Sequence, residues 1–285
     1  MYLFPQQEAL AKKLAHIFNV LVQSEARIRP HFHMTGPSGS GKTYLIKQLA
    51  EQAGIPVLEV NAAGLTAEGL SGNSLSKALR NLRLHWNTPN IVFVDEFDKL
   101  FLRNGESTES FRHSVQDEFL TALESDTVQI FTDYGKYEPI RINNSLFIFA
   151  GAYSNQRIET LSELQEAGLR TEFVGRVPLV LFTEKVPLSE LTKMISKSSL
   201  FNDYSSLFPE RGTKESIKQI AEMVTEQDKT FNIGIRLLNS CIHQYFMDAS
   251  YARPDTTKPT ATTQIRKAKE SVQALFKNKT KSHDH

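Results

Sequence analysis

The segment GPSGSGKT, Gly36 to Thr43, constrains this 285-residue chain more than any other eight residues in it. A short apolar stretch, HFHM, precedes it. TYLIKQLAEQA follows, with apolar residues at helical spacing up to Gly54. Strand, glycine-rich turn and helix in that order make a phosphate-binding loop. The glycines let successive backbone N–H groups turn toward phosphate oxygens, and the helix N-terminus adds partial positive charge. Gly36, Pro37, Ser38, Gly39, Ser40, Gly41, Lys42, Thr43 and Tyr44 are therefore the candidate nucleotide-binding residues. Lys42 is expected at the β- and γ-phosphates of ATP, and the Thr43 hydroxyl at Mg²⁺.

A second segment completes the chemistry. IVFVDEFDKL is an apolar run that stops on two acids, Asp95 and Glu96. A buried strand ending this way puts the acids at its carboxyl end, where open α/β sheets bind ligands. Asp95 is expected to hold Mg²⁺ through water, and Glu96 to orient and polarise the attacking water. The two segments together predict ATP hydrolysis.

Strand and helix patterns alternate through the first two thirds of the chain, which predicts an α/β domain with a mostly parallel sheet. Expected strands include PVLEVNA, NIVFVDE, SLFIFAGAY and VPLVLF; SLSKALRNLRLHW, HSVQDEFLTALES and QRIETLSELQEAG read as helices. TVQIF and EPIRI flank TDYGKY as a hairpin. After about Glu184 only helical patterns follow: LSELTKMISKSS, KESIKQIAEMVTEQ and IRLLNSCIHQYFMDAS. The expected organisation is a large ATP-binding domain over 1–185, a small helical domain over 186–252, and a linker, short basic helix and tail over 253–285.

Composition narrows the function classes. Net charge is +1, so the chain as a whole advertises no affinity for nucleic acid or anionic membrane. The charge is uneven: from Arg253 onward there are eight Lys/Arg against three Asp/Glu. The single cysteine, Cys241, makes no internal disulfide and no cysteine-based zinc site. No signal peptide or membrane span is expected, because no apolar run is long enough. A cytoplasmic location is the expectation.

Taken in order, PQQEALAKKLA, GPSGSGKT, LTAEGLSGNSL, VDEFDKL, SVQDEFLTALE, LFIFAGAY and EAGLRTEFVGRVPLV resemble the AAA+ ATPases, and among them the ClpX/HslU group of protein unfoldases. The resemblance covers about residues 5–250. It implies a P-loop AAA+ parallel-sheet ATPase domain followed by a small all-helical lid. It also implies a homo-oligomer, typically a hexameric ring, because Arg176 in EFVGRVP matches an arginine that reaches the neighbouring subunit's ATP. A loop of the group that lines the central pore and pushes on substrate polypeptide matches Gly69, Leu70, Ser71 and Gly72, with Leu70 in place of an aromatic residue. The hairpin tip makes Tyr134, Lys136 and Tyr137 candidates for a second pore loop.

The departures from the group are as informative. The four-cysteine zinc domain of ClpX has no counterpart here, so no zinc is expected. Only SNQRIETLSELQ separates GAY from EAGL, where ClpX carries a long insertion that docks on a peptidase. The strand that often ends in a polar sensor residue gives Ala150–Gly151 here, which leaves Ser154 or Asn155. In FNIGIRLLNS, Ile233 aligns with the group's second sensor arginine and Arg236 with the next one; either Arg236 reaches the nucleotide or the lid senses it otherwise. Two function classes follow. One is an ATP-driven ring that remodels or unfolds a protein substrate or assembly through a central pore, without a ClpP-type peptidase. The alternative is an AAA+ ATPase acting on nucleic acid or its machinery (a helicase loader, transposition regulator or packaging accessory), supported by the basic tail from Lys258 to Lys281.

Overall fold

Apolar residues fill both sides of the central strands, and their alternation decides what packs on each face of the sheet. The computed structural model describes residues 4–66, 73–100, 109–132, 135–231 and 233–248. Its strands are β1 (Phe32–Thr35), β2 (Val57–Asn61), β3 (Asn90–Asp95), β4 (Thr127–Phe131), β5 (Tyr137–Arg141), β6 (Ser145–Gly151) and β7 (Leu179–Phe182). Five form one sheet in the order β2-β3-β6-β1-β7, with every neighbouring pair parallel. β4 and β5 form the separate antiparallel hairpin, with Phe131 opposite Tyr137 at the tip and Thr127 opposite Arg141 at the base.

One face of the sheet carries Phe32, Met34, Ile91, Phe93, Leu146 and Ile148 against the helices α1 (Glu8–Gln23) and α2 (Lys42–Gln52). The other carries Val92, Val94, Phe147 and Phe149 against Phe97, Phe119 and Phe173. Phe97 lies 4.6 Å from Phe149 and 5.3 Å from Phe173, centroid to centroid, which ties the segment after β3 into that aromatic cluster. Burial on both faces explains why these strands read as continuous apolar runs. α2 ends where Gly54 suggested. Gly54 adopts a left-handed φ of 67°, its N–H donates to Glu51 and that of Ile55 to Ala50, a Schellman closure.

Several expected helices are shorter than their patterns. SLSKALRNLRLHW becomes one α turn, α3 (Leu75–Ala78), followed by a 3₁₀ helix, Leu79–Leu84. Leu79 and Leu82 are both buried at a spacing of three, and a 3₁₀ helix keeps such a pair on one face. α4 (Glu109–Glu124) precedes the hairpin. In QRIETLSELQEAG the helix α5 is confined to Leu161–Glu166 by a capping box: Glu163 N–H donates to Thr160 Oγ1 at 3.2 Å, and Thr160 N–H to Glu163 Oε2 at 2.9 Å. α6 (Thr171–Arg176) leads into β7.

Beyond β7 the described chain is helical: α7 (Leu188–Met194), α8 (Ser199–Leu207), α9 (Lys214–Phe231) and α10 (Ile235–Met247). α8 was not anticipated, because SLFNDYSSL is rich in residues that compete with the helix through local hydrogen bonds. Contacts gather Met1–Ile242 into one compact unit and His243–His285 into a second. Of the second unit, the described residues continue α10, with the rings of Tyr245 and Phe246 edge to face at 5.2 Å. The expected basic helix and tail over 253–285 lie outside the described residues, as do Gly69–Gly72 and Tyr134. Among the described residues no helix is long and apolar enough to cross a membrane.

His33 on β1 sits inside the aromatic cluster, 5.7 Å from the ring of Phe149 and 6.1 Å from that of Phe97. Both its ring nitrogens are buried without a hydrogen-bond partner, and burial pushes its pKa down to about 3. His31, whose Nδ1 accepts the Phe147 N–H at 3.0 Å, is pushed down to about 4 by burial and by Arg29. Each histidine is held neutral in the fold and takes a proton more readily when unfolded. Stability is therefore intact above about pH 6.5 and is lost as pH falls toward those values, at up to about 1.4 kcal/mol per unit for each group. Urea titrations at pH 7.5 and 5.5 should show this loss, and His33→Phe should remove about half of it.

Candidate nucleotide-binding site

The loop between β1 and α2 opens onto a cleft of about 930 Å³ at the carboxyl ends of the strands. Its lining includes Ser38 to Tyr44, Asp95, Glu96, Asp98, Asn155 and, from the helical segment, Met194, Lys197, Ile235, Arg236 and Asn239. The walls thus bring together residues as far apart in the sequence as Ser38 and Asn239.

Gly36, Gly39 and Gly41 have φ values of 136°, 71° and 88°, which side chains rarely allow. Two are also steric necessities. A β-carbon on Gly36 would stand 2.2 Å from Thr183 Oγ1, and one on Gly39 would stand 2.0 Å from the carbonyl oxygen of Ile233. Thr183, at the end of β7, donates from Oγ1 to Thr35 O at 3.0 Å and shares a 2.8 Å hydrogen bond with Ser40 Oγ. Gln7 Nε2 donates to Ser40 O at 2.8 Å. No motif assigns a role to Thr183 or to Gln7; their role appears only when β7 and the segment before α1 fold against the loop.

Lys42 is nearly buried. Its Nζ donates to Gly36 O at 2.6 Å and to Pro37 O at 3.0 Å. Burial lowers its pKa to about 8, against the opposing pull of Asp95 and Asp98, while Arg236 lowers it further. Thr43 Oγ1 donates to Asp95 Oδ2 at 3.2 Å, so the two expected cation ligands already converge. A hard divalent cation takes oxygen donors of this kind, and these residues fit it. Glu96 follows with φ 56°, its N–H held by Asp95 Oδ1 at 2.9 Å and its side chain exposed to the cleft. Backbone held in the left-handed region at a non-glycine residue is strain of the kind that functional sites retain.

Asp98 is a buried acid that motif reading passed over. It is 1% exposed and accepts the Tyr153 N–H at 3.2 Å. Tyr153, Ser154 and Asn155 all have positive φ, a left-handed turn at the end of β6. That turn delivers Asn155 to the phosphate loop, where its Oδ1 accepts the Ser38 N–H at 2.9 Å. Of the two polar candidates after Ala150–Gly151, Asn155 is thus the one that bonds the loop, while Ser154 also lines the cleft.

The helical segment meets the same loop through backbone. Ile235 N–H donates to Gly39 O at 3.2 Å, and Gly234, at φ 58°, has room for no β-carbon, since Gly39 O would lie 2.6 Å away. One residue on, Arg236 Nη1 donates to Ser38 Oγ at 3.0 Å. Arg236 therefore reaches the phosphate loop, whereas Ile233 contributes backbone. Arg176, by contrast, does not line this cleft. It ends α6 with its side chain 46% exposed and ion-paired to Glu124 at the end of α4.

A parallel sheet, a phosphate loop after β1 and an acid pair at the end of β3, with β6 between the two strands, define a P-loop nucleoside triphosphatase. Residues 32–174 match the ATPase family associated with various cellular activities (AAA), and the chain belongs to that family. It is an ATPase. It is similar to the ATP-dependent Clp protease ATP-binding subunit ClpX of Porphyromonas gingivalis, with 26% identity over 276 residues, 80% of this chain and 67% of that protein. ClpX 2 of Wolinella succinogenes is 29% identical over 271 residues, 80% of this chain and 67% of its own. ClpX of Treponema denticola is 26% identical over 275 residues, with 78% and 65% covered. The chain spans about two thirds of the length of these curated relatives.

The contact between Gly39 and Gly234 can be tested against a glycine that touches nothing. Gly54 has φ 67° and no atom within 4 Å of an added β-carbon. Gly54→Ala should cost about 1 kcal/mol of stability, the left-handed penalty alone, and leave ATP affinity unchanged. Gly234→Ala should cost more and weaken ATP binding roughly tenfold or beyond, since its β-carbon pushes on the phosphate loop itself. Thermal melts and titration with a fluorescent ATP analogue check both.

Proposed function

We propose that the protein is the motor subunit of an ATP-driven ring that remodels or unfolds a protein substrate or assembly. The observation that carries this reading is the placement of Arg176. A guanidinium matched to the family's trans-acting arginine stands half-exposed, away from its own cleft, on an ion pair with Glu124 that solvent also reaches. Such an exposed pair is worth little, so the arginine is easily passed to a docked neighbour. Head-to-tail interfaces of this type close into rings when the rotation allows, and six subunits is the expected number.

In this reading the loop N–H groups and Lys42 bind the β- and γ-phosphates of ATP, and Lys42 leaves the Gly36 and Pro37 carbonyls to do so. Thr43, and Asp95 through water, would hold Mg²⁺, which would supply charge neutralisation to the transferring phosphoryl group. Glu96 orients the attacking water from its strained position and accepts its proton. Arg176 of the adjacent subunit stabilises the charge that develops on the phosphoryl oxygens. Arg236 and Asn155, both bonded to Ser38, report the phosphate state to the helical lid and to β6.

The lid comprises the expected small domain over 186–252, and its backbone contact with Gly39 is where nucleotide would move it. Gly69, Leu70, Ser71 and Gly72 form the pore loop, with their stem closed by the bridge between Leu65 and Asn73. Tyr134, Lys136 and Tyr137 form the second. Only residues 152–160 lie between β6 and α5, which supports work without a ClpP-type peptidase docked by that route.

Mixed rings test the reading. Glu96→Gln should bind ATP and hydrolyse it poorly. Arg176→Ala should lose about a thousandfold in turnover while still binding ATP. An equal mixture should recover roughly a quarter of wild-type turnover, the chance that an intact Glu96 site meets an intact Arg176 neighbour across a trans interface. No recovery on mixing would remove the trans role. An unfolded protein such as reduced, alkylated albumin should stimulate wild-type ATPase severalfold. Stimulation by DNA or RNA alone would instead select the nucleic-acid class of machine.

A further inference from the structure

The 3₁₀ helix that replaced an expected α-helix creates a surface feature that the nucleotide chemistry does not use. Residues 73–90 contain Lys77, Arg80 and Arg83 and no Asp or Glu. In a 3₁₀ helix side chains three apart eclipse one another. With Leu79 and Leu82 turned into the core, Arg80 and Arg83 share the next ridge and are both exposed. Lys77 stands one step before them and Trp86 one step after.

Both ends of this ridge touch the β4–β5 hairpin. Lys77 Nζ lies 5.5 Å from the ring centroid of Phe131, at the tip end, and the Arg141 guanidinium lies 5.8 Å from that of Trp86, at the base. The ridge therefore runs along the hairpin. On β5, Tyr137 and Arg141 share the face of Pro139, while Glu138 alternates to the other face with buried Ile140. The result is one strip bearing Lys77, Arg80, Arg83 and Arg141, with Tyr137 52% exposed at its tip end.

We propose that this strip docks an extended acidic segment of the substrate polypeptide, an inference that rests on the protein-remodelling reading above. The ridge presents a cation about every 6 Å. An extended chain presents every second side chain about 6.7 Å apart. Asp or Glu at alternate positions is therefore nearly in step with the ridge over its length. Guanidinium groups take carboxylates through two parallel hydrogen bonds. The rings at both ends already carry the chain's own cations over their faces, so the strip offers guanidinium edges more than the open aromatic platforms on which nucleic-acid bases stack. Its tip end adjoins Lys136 and Tyr137, the described part of the expected second pore loop.

The test uses the full chain as the Glu96→Gln variant with ATP and three fluorescent probes: an alternating Glu-Ser 12-mer, an alternating Lys-Ser 12-mer and a 20-mer of deoxythymidine. Anisotropy should show the acidic peptide bound at least tenfold more tightly than the basic one. Arg80→Ala with Arg83→Ala should lose at least tenfold of that binding. Arg80→Lys with Arg83→Lys should keep only part of it, because an ammonium group keeps the charge but not the paired hydrogen bonds, and Arg80→Glu with Arg83→Glu should invert the preference. Neither arginine lines the nucleotide cleft, so basal ATPase measured in the Glu96 background should be unchanged by these pairs and certifies their folding. Equal binding of the two peptides, or acidic-peptide binding indifferent to the alanine pair, overturns the proposal. Tight deoxythymidine binding lost with the alanine pair, without acidic-peptide binding, overturns it in favour of nucleic acid. Because binding is read without any unfolding step, a failed strip leaves ATP-driven remodelling standing, and a failed remodelling assay leaves the peptide result readable.

Discussion

Gly39 of the phosphate loop and Gly234 of the helical segment meet backbone to backbone, and neither has room for a β-carbon. Much of the site's geometry follows from that meeting. It brings Ile235 N–H onto the Gly39 carbonyl and Arg236 onto Ser38, and so makes α10 a wall of the nucleotide cleft. Interpenetrating side chains would allow the two parts to slide by a rotamer change. Two glycines in contact leave no such slack, so a shift of the loop on phosphate binding is a shift of what touches it. Packed interfaces transmit displacement because they do not deform continuously.

The electrostatic arrangement complements this stiffness. Lys42, Asp95 and Asp98 interact inside a partly buried cleft, where burial outweighs the pull of the two acids and the Lys42 pKa falls to about 8. Thr43 already faces Asp95. Lys42, Thr43 and Asp95 are thus held by one another and by the loop carbonyls. Preorganised donors and acceptors of this kind need little rearrangement when charge develops.

How much of this could be read from the sequence depends on how local the determinants are. The phosphate loop, the acid pair and the apolar strands are contiguous segments, and their placement in the fold follows from strand, turn and helix in order. Gly54 likewise announces the end of α2. The 3₁₀ helix after Ala78 was less legible, because the spacing of Leu75, Leu79 and Leu82 is that of an α-helix. α8 was hidden by its polar composition. In the site, Thr183, Gln7 and Asp98 have roles that no motif assigns: each matters through a partner far away in the chain, and that partner is chosen by how the sheet is ordered. Asn155 stood among the candidates, but only the left-handed turn over Tyr153–Asn155 decides between it and Ser154 as the residue that bonds Ser38.

Lys42 bends back onto the carbonyls of Gly36 and Pro37, and this has a bearing on the interval between one nucleotide and the next. A cation stranded in a narrow cleft would make the empty subunit an unstable species, and product would leave slowly against that cost. Here the ammonium group has a berth within its own loop. Vacating the cleft exchanges one set of oxygen acceptors for another, so the ammonium group keeps hydrogen-bond partners between one nucleotide and the next.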